Sequence, residues 1–304
     1  EVRDLRVVFP TRRGDLVALD DVSFVMAPGE ILGMVGESGA GKSVTGAAIT
    51  GLLDPPGHVA RGEIPFAGQG IDRLPPSAWR PLRGRHIATI FQDPLTALNP
   101  LYTVGRQLTE TLRTHFPLSA AAARRRAAEL LSETGIPGAA SRLDDHPHQF
   151  SGGMRQRVVI ALALAGEPRL IVADEPTTAL DVSVQAQITA LLRRLSRERG
   201  LAVLLITHDM GVVADTCDRV AVMYAGRIAE IGPVGAVVGH PGHPYTAGLM
   251  GAIPGLASPR ERLVQIDGAM PRLTAIPPGC AFHPRCPRVF EPCASRRPDL
   301  MPAG

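Results

Sequence analysis

The chain has 304 residues, enough to bury one large hydrophobic core or two smaller ones. Its formal net charge is +3 and aromatic residues make up 4% of it, so neither a basic nucleic-acid surface nor a platform for stacked bases is indicated. No apolar run approaches the ~20 residues that cross a bilayer, and four cysteines without a compact framework are typical of a reducing compartment. We expect a soluble, cytoplasmic protein that binds no nucleic acid.

The first fifty residues predict strands and then a helix. Residues 2–9 and 17–24 alternate apolar and polar side chains on either side of a polar turn, which predicts two antiparallel strands. The apolar run 31–35 follows a Pro-Gly turn and predicts a short buried strand. Residues 44–50 predict a helix that ends near Gly51.

The glycine-rich loop between that strand and that helix predicts a nucleoside triphosphate site. It contains Lys42, the only lysine in a chain with 32 lysine and arginine residues together. A compact ammonium suits the space between two phosphates better than a planar guanidinium does, and backbone N–H groups and the helix N-terminus bind the phosphates as well. Ser43 supplies a hydroxyl for Mg²⁺, and we expect the Lys42 ammonium to be reachable before nucleotide binds. The predicted phosphate-binding residues are Gly36, Glu37, Ser38, Gly39, Ala40, Gly41, Lys42 and Ser43.

The rest of the chain predicts an α/β core with a helical insertion and a loop-rich tail. Residues 85–93 predict a strand, and residues 95–165 are mostly helical in pattern with a break at 144–148. Strand and helix patterns then alternate up to residue 224, which is typical of a parallel sheet built from βαβ units. After Gly232 the composition shifts toward proline, glycine and histidine, with one helix near 244–252.

Two carboxylates follow the apolar strand 170–173. Because the carboxyl ends of parallel strands meet at one edge of a sheet, Asp174 can hold the Mg²⁺ shell while Glu175 polarises an attacking water. Between this motif and the phosphate loop, Ser151, Gly152 and Gly153 stand at the start of a helix, a further geometry that binds anions.

With these motifs in order, the chain closely resembles the ATP-binding subunits of ABC transporters. The resemblance implies that the Ser151–Gly153 signature closes over ATP bound to a second subunit. It also implies roles for residues outside the loop and the two carboxylates. Gln92 would sense Mg²⁺ and the water, Asp181 would lie in the loop that communicates across the dimer, His208 would contact the γ-phosphate, and Phe9 would stack on adenine.

The same resemblance implies the fold and the domain boundaries. The fold class is α/β: a P-loop ABC ATPase core, in which helices flank a parallel sheet, with an antiparallel β subdomain, a helical subdomain and a loop-rich C-terminal extension. The ATP-binding domain would span residues 1–232 and include the helical subdomain at about 94–165. The extension would span residues 233–304.

Three further stretches of sequence indicate one branch of this family. Residues 91–100, 243–249 and 278–287 resemble the oligopeptide, dipeptide and nickel importers. This branch implies ATP hydrolysis at the cytoplasmic face of the inner membrane, where two ATP-binding subunits, often non-identical, serve two transmembrane permease subunits and an extracytoplasmic substrate-binding protein. Di- or oligopeptide import is the leading interpretation. The alternatives are nickel or another small solute, a soluble ABC ATPase acting on DNA or the ribosome, and a non-hydrolysing regulatory module, which would be expected to lack Glu175 or His208.

Cys280, Cys286 and Cys293 lie in a turn-rich segment of the tail. Fixed turns can hold thiolates around a metal, and the resemblance implies a [4Fe–4S] cluster, which takes four cysteines. Three interpretations stay open: a cluster whose fourth ligand is missing or comes from elsewhere, a zinc site that uses His283, and reduced thiols that pack a small subdomain.

Overall fold

The computed structural model describes residues 1–12, 14–178, 180–252 and 265–302. These residues form two compact units. The first unit comprises Glu1–Met26, Leu32–Arg73 and Ile206–Gly304, and the second comprises Ala27–Ile31 and Leu74–Leu205.

The strands of the described residues include those that the alternating patterns predicted. In chain order they are β1 (Val2–Thr11), β2 (Gly14–Phe24), β3 (Ile31–Val35), β4 (His58–Glu63), β5 (Pro65–Phe66), β6 (Gln69–Gly70), β7 (Ile87–Ile90), β8 (Leu170–Asp174), β9 (Ala202–Ile206), β10 (Arg219–Tyr224) and β11 (Arg227–Pro233).

The helices of the described residues are mostly short outside the second unit. In chain order they are α1 (Lys42–Thr50), α2 (Pro76–Trp79), α3 (Pro94–Ala97), α4 (Val104–His115), α5 (Ala120–Glu133), α6 (Ala139–Arg142), α7 (Gly152–Leu164), α8 (Val182–Arg199), α9 (Met210–Thr216), α10 (Val234–Gly239) and α11 (Pro244–Gly251).

The first unit contains an antiparallel sheet and a mixed one. In the antiparallel sheet β1 lies between β2 and β4, so the expectation of two antiparallel N-terminal strands is confirmed. In the mixed sheet β10 pairs in parallel with β3 and antiparallel with β11. All five residues of β3 are buried, as expected for a parallel strand covered on both faces.

The second unit combines parallel strands with a group of helices. β8 lies between β9 and β7, and β7 and β8 run in parallel. The amphipathic helix α4 buries Leu108 and Leu112, and α5 buries Leu130 and Leu131. Each such leucine contributes about 1.5–3 kcal/mol relative to an exposed one. The helical pattern predicted for residues 95–165 is therefore confirmed.

The predicted strand at 85–93 is shorter than expected. It spans only Ile87–Ile90, and the proline that follows explains why it ends before residue 93. Pro94 occupies the first turn of α3, and Asp93 caps that helix by accepting the Leu95 N–H at 2.8 Å. Gln92 is thereby placed just beyond the carboxyl end of β7.

Candidate nucleotide-binding site

Residues 36–41 connect β3 to α1 in a turn that requires glycine. Gly36 has a φ of 148°, and a Cβ there would lie 2.3 Å from the carbonyl oxygen of Met223. Gly41 has a φ of 106°, and a Cβ there would lie 2.7 Å from a Leu19 methyl carbon. Because L-residues rarely adopt these angles and the space is filled, only glycine fits at both positions.

Lys42 lies inside this loop and is 6% exposed. Its Nζ donates to the carbonyl oxygens of Gly36 at 2.8 Å and Glu37 at 3.1 Å. A buried ammonium needs such partners, because an unpaired charge is costly to remove from water. The expectation that this ammonium is reachable before nucleotide binds is therefore wrong for this structure.

Glu37 has partners in the C-terminal part of the first unit. Its backbone N–H donates to the Tyr245 hydroxyl at 2.9 Å, and its carboxylate accepts from Arg285 Nη1 at 3.1 and 3.2 Å. Sequence reasoning missed both contacts. Tyr245 and Arg285 stand within stretches that served only to indicate the branch of the family, and no local pattern relates them to the loop.

Phe9 and His208 also belong to the first unit. The Phe9 ring is partly buried and lies against Gly57, where an added Cβ would come within 2.4 Å of the ring. His208 is exposed and follows β9. Asp209 then caps α9 by accepting the N–H groups of Gly211 and Val212 at 2.8 and 3.1 Å.

In the second unit the structure brings Gln92 and Glu175 together. Glu175 Oε2 accepts hydrogen bonds from Gln92 Nε2 at 3.2 Å and from the Thr178 hydroxyl at 2.9 Å. Glu175 has a φ of 47°, in the left-handed region that non-glycine residues rarely occupy. Backbone strain of this kind is concentrated at functional sites. Asp174 precedes it as the last residue of β8.

The Ser151–Gly153 signature starts α7, as expected. The Ser151 hydroxyl caps the helix by accepting the Met154 N–H at 3.4 Å. Gly153 lies so close to α8 that a Cβ there would stand 2.5 Å from a Val184 methyl carbon. The start of α7 therefore packs directly on the start of α8.

Asp181 caps α8. Its Oδ1 accepts from the Ser183 hydroxyl at 2.6 Å and from the Val184 N–H at 2.9 Å. These bonds lower the pKa of the carboxyl, the Ser183 bond first and the Val184 bond next. The charge also complements the partial positive charge of the helix N-terminus.

The predicted magnesium ligands have suitable chemistry. Ser43 offers a hydroxyl oxygen, Gln92 an amide oxygen and Asp174 a carboxylate, and Mg²⁺ prefers oxygen donors of these kinds. Gln92 and Asp174 lie at the carboxyl ends of the paired parallel strands β7 and β8.

The three tail cysteines form no disulfide and are partly exposed. A backbone hydrogen bond of 2.8 Å from Cys280 N–H to Cys293 O joins the two ends of the segment, and His283 Nδ1 lies 2.8 Å from Cys280 O. Within the described ranges no three His, Cys, Asp or Glu side chains are arranged to hold a metal ion. These residues therefore do not form a complete site for a cluster or for zinc.

Comparison with known proteins identifies the class. The sequence profile described as ABC transporter matches residues 19–178, and the profile of the C-terminal region of oligopeptide/dipeptide transporters matches residues 229–293. The chain belongs to the ABC transporter family and is an ATP-hydrolysing subunit of it. Within that family it belongs to the oligopeptide/dipeptide transporter branch, as the sequence motifs predicted.

Individual relatives agree with this assignment. The oligopeptide transport ATP-binding protein OppD of Salmonella typhimurium is 49% identical over 298 residues, which are 98% of this chain and 89% of that protein. The dipeptide transport ATP-binding protein DppD of Escherichia coli is 46% identical over 299 residues, which are 98% of this chain and 91% of that protein.

Solved structures confirm the fold class. The ATP-binding cassette MJ0796, in a dimeric post-hydrolysis state bound to ADP and phosphate, superposes with a TM-score of 0.69 and 28% identity. The match covers 77% of this chain and 97% of that one. Among the helices that the structure describes, none combines the length and apolar character that a membrane crossing requires.

Proposed function

We propose that this chain hydrolyses ATP to drive the import of di- or oligopeptides. The main observation in support of hydrolysis is the environment of Glu175, which has a strained backbone and a carboxylate held by Gln92 and Thr178. The peptide substrate is supported by the names of the relatives and by the match of residues 229–293 to the oligopeptide/dipeptide region.

In this proposal the phosphate loop binds the triphosphate. Lys42 exchanges its carbonyl partners, Gly36 and Glu37, for phosphate oxygens. Loop N–H groups and the start of α1 complete the cradle. Phe9 contributes the adenine contact, and His208 the contact to the γ-phosphate.

Glu175 acts as the general base on the attacking water. The Gln92 amide and the Thr178 hydroxyl both donate to Oε2, so they fix the orientation of the carboxylate. Ser43, Gln92 and Asp174 are the residues that would hold Mg²⁺, which would neutralise charge at the phosphates.

The active assembly in this proposal is a complex. Ser151, Gly152 and Gly153 close over ATP held by a second ATP-binding subunit, and Asp181 lies in the segment that communicates with it. Two transmembrane permease subunits and an extracytoplasmic binding protein complete the transporter, with this chain on the cytoplasmic face. The dimeric cassette to which the chain is similar supports the pairing.

Reconstitution tests the substrate. The chain, its partner ATPase, the two permease subunits and the binding protein are placed in proteoliposomes, and ATP hydrolysis is followed with di- and oligopeptides or with Ni²⁺. Peptide-stimulated hydrolysis with peptide uptake is the expected result. Stimulation by nickel alone, or full activity without permease subunits, would contradict the proposal.

The tail cysteines carry a separate proposal. Cys280, Cys286 and Cys293 are proposed as ligands of an iron–sulfur cluster with a stabilising role. Their spacing, the absence of disulfides between them and the backbone hydrogen bond that joins Cys280 to Cys293 support it. A [4Fe–4S] cluster takes four cysteines, and within the described part of the chain no three His, Cys, Asp or Glu side chains, these cysteines included, are arranged to hold a metal ion.

A further inference from the structure

One residue of the phosphate loop is held by residues far along the chain. Both carboxylate oxygens of Glu37 accept from the single nitrogen Nη1 of Arg285, and the Glu37 backbone N–H donates to the Tyr245 hydroxyl. These partners lie 248 and 208 positions later in the sequence. The Glu37 carbonyl meanwhile accepts from Lys42 Nζ. The backbone and the side chain of Glu37 are thus both fixed, next to the lysine of the loop.

The guanidinium of Arg285 is itself held rigidly. Its side chain is only 7% exposed. Nε donates to Asp267 O at 2.8 Å, and Nη1 also reaches the Tyr224 hydroxyl at 3.3 Å. The Glu37 carboxylate neutralises this buried charge. Removing one member of such a pair is unfavourable because it leaves the other buried without its counter-charge.

Tyr245 is equally constrained. It is fully buried, and its ring meets Tyr224 edge-on at 4.7 Å between centroids and Phe282 at 5.4 Å. Burial raises the pKa of its hydroxyl above the ordinary value of 10.0. The rigid ring presents the hydroxyl oxygen to the Glu37 N–H.

We propose that Arg285 and Tyr245 are positioning residues for the phosphate loop, which hold Glu37 so that residues 36–42 keep the conformation that receives ATP. The proposal rests on the proposed function of that loop. According to this proposal, ATP affinity depends on two side chains of the C-terminal region as well as on the residues of the loop itself. Preorganisation of this kind increases affinity because less ordering is needed on binding.

A double-mutant cycle tests the proposal. The dissociation constant for Mg-ATP is measured on the full-length chain carrying Arg285→Ala, Glu37→Ala or both, below the unfolding temperature of each variant. Each single variant is expected to weaken binding about tenfold, and the double variant no further, because residues in direct contact couple. Arg285→Lys keeps the charge but loses the planar fork, so intermediate affinity is expected. Tyr245→Phe, which removes only a hydroxyl, should also weaken binding.

Two controls separate the possible failures. Arg288→Ala removes the same charge from an exposed residue three positions away and should bind ATP like the unmodified chain. Lys42→Ala should lose binding, and if it does not, the phosphate-loop assignment fails and this proposal with it. If Lys42→Ala loses binding while Arg285→Ala and Tyr245→Phe keep it, only the positioning role is overturned. If the losses of ATP affinity in Arg285→Ala and Glu37→Ala add up in the double variant, the positioning role is overturned as well.

Discussion

Glu175 combines an unusual backbone angle with a carboxylate fixed by two donors. Glu175→Gln keeps the size of the side chain but removes its basicity, so ATP binding should persist while turnover falls about 10²–10⁴-fold. Steady-state hydrolysis of the assembled dimer and ATP affinity are the two measurements.

Glu167 offers a matched control for that experiment. It is also a glutamate with positive φ, at 55°, and it is exposed just before β8. Glu167→Gln should therefore leave hydrolysis unchanged. Loss of ATP affinity in Glu175→Gln, with turnover per bound ATP preserved, would rule out the base assignment.

Burial of His243 is expected to make the free energy of unfolding depend on pH. Its Nδ1 accepts the Tyr245 N–H at 3.0 Å and so caps α11. Burial lowers the pKa of His243 below its ordinary value of 6.5, although nearby Glu230 opposes the shift. As the pH falls, the unfolded chain takes up this proton before the folded chain does. The stabilisation is therefore complete above pH 6.5 and is lost as the pH falls below that value.

The substitution His243→Asn tests this pH dependence. Asparagine retains an acceptor for the helix cap and does not titrate. Between pH 7.5 and 5.5 the midpoint of thermal unfolding should therefore fall less for His243→Asn than for the unmodified chain. Two other histidines with lowered pKa values, His86 and His115, are present in both proteins, so they cancel in the comparison. Equal slopes would contradict the role given to His243.

At the scale of elements, the contact between α7 and α8 links the signature to the Asp181 segment. Gly153→Ala would place a methyl group 2.5 Å from a Val184 methyl carbon. Overpacking of this kind costs about 1–3 kcal/mol, so the unfolding midpoint should fall. Val184→Ala in the same chain makes room and should restore part of the loss.

Gly152 provides the comparison within the same turn. A Cβ there would lie at an ordinary 3.7 Å from Leu180, so Gly152→Ala should change stability little. If Gly153→Ala were as stable as the unmodified chain, the close packing of α7 on α8 would be refuted.

Elements with strong apolar patterns could be predicted from the sequence, and elements without them could not. The buried strand β3 was predicted because its five residues form one apolar run, and the mostly helical pattern of residues 95–165, which contains the amphipathic helix α4, was predicted as well. β4 was missed because its side chains are mostly exposed and its place is set by pairing with β1. β11 was missed for a similar reason, since none of its residues is fully buried.

In the candidate site, too, only features that leave a local pattern in the sequence could be predicted. The phosphate loop could be predicted because its residues are consecutive and each type has a chemical reason. The bonds of Glu37 to Tyr245 and Arg285 could not be, since they depend on tertiary packing over 208 and 248 positions. The burial of Lys42 was missed because a composition argument says nothing about its carbonyl partners.

At the scale of the whole molecule, the tail cysteines determine whether the chain binds iron or zinc in its C-terminal extension. Anaerobically purified protein should contain iron and acid-labile sulfide and absorb visible light, because cysteine thiolates ligate such clusters. The triple variant with serine at positions 280, 286 and 293 should be colourless and keep its ATPase activity. Colourless unmodified protein with stoichiometric zinc would favour the rival site, and protein without either metal would favour packed thiols.

A single buried lysine also makes the chain resistant to one class of protease. An endoprotease specific for lysine can cleave this sequence at one peptide bond, between Lys42 and Ser43. Lys42 is the first residue of α1 and is only 6% exposed. Cleavage therefore requires that this segment first unfold locally. When opening and closing are faster than cleavage, the rate at which fragments 1–42 and 43–304 appear measures the population in which the segment is open. Cleavage after Lys42 therefore reports the local stability of the phosphate loop, and no label has to be attached to the protein.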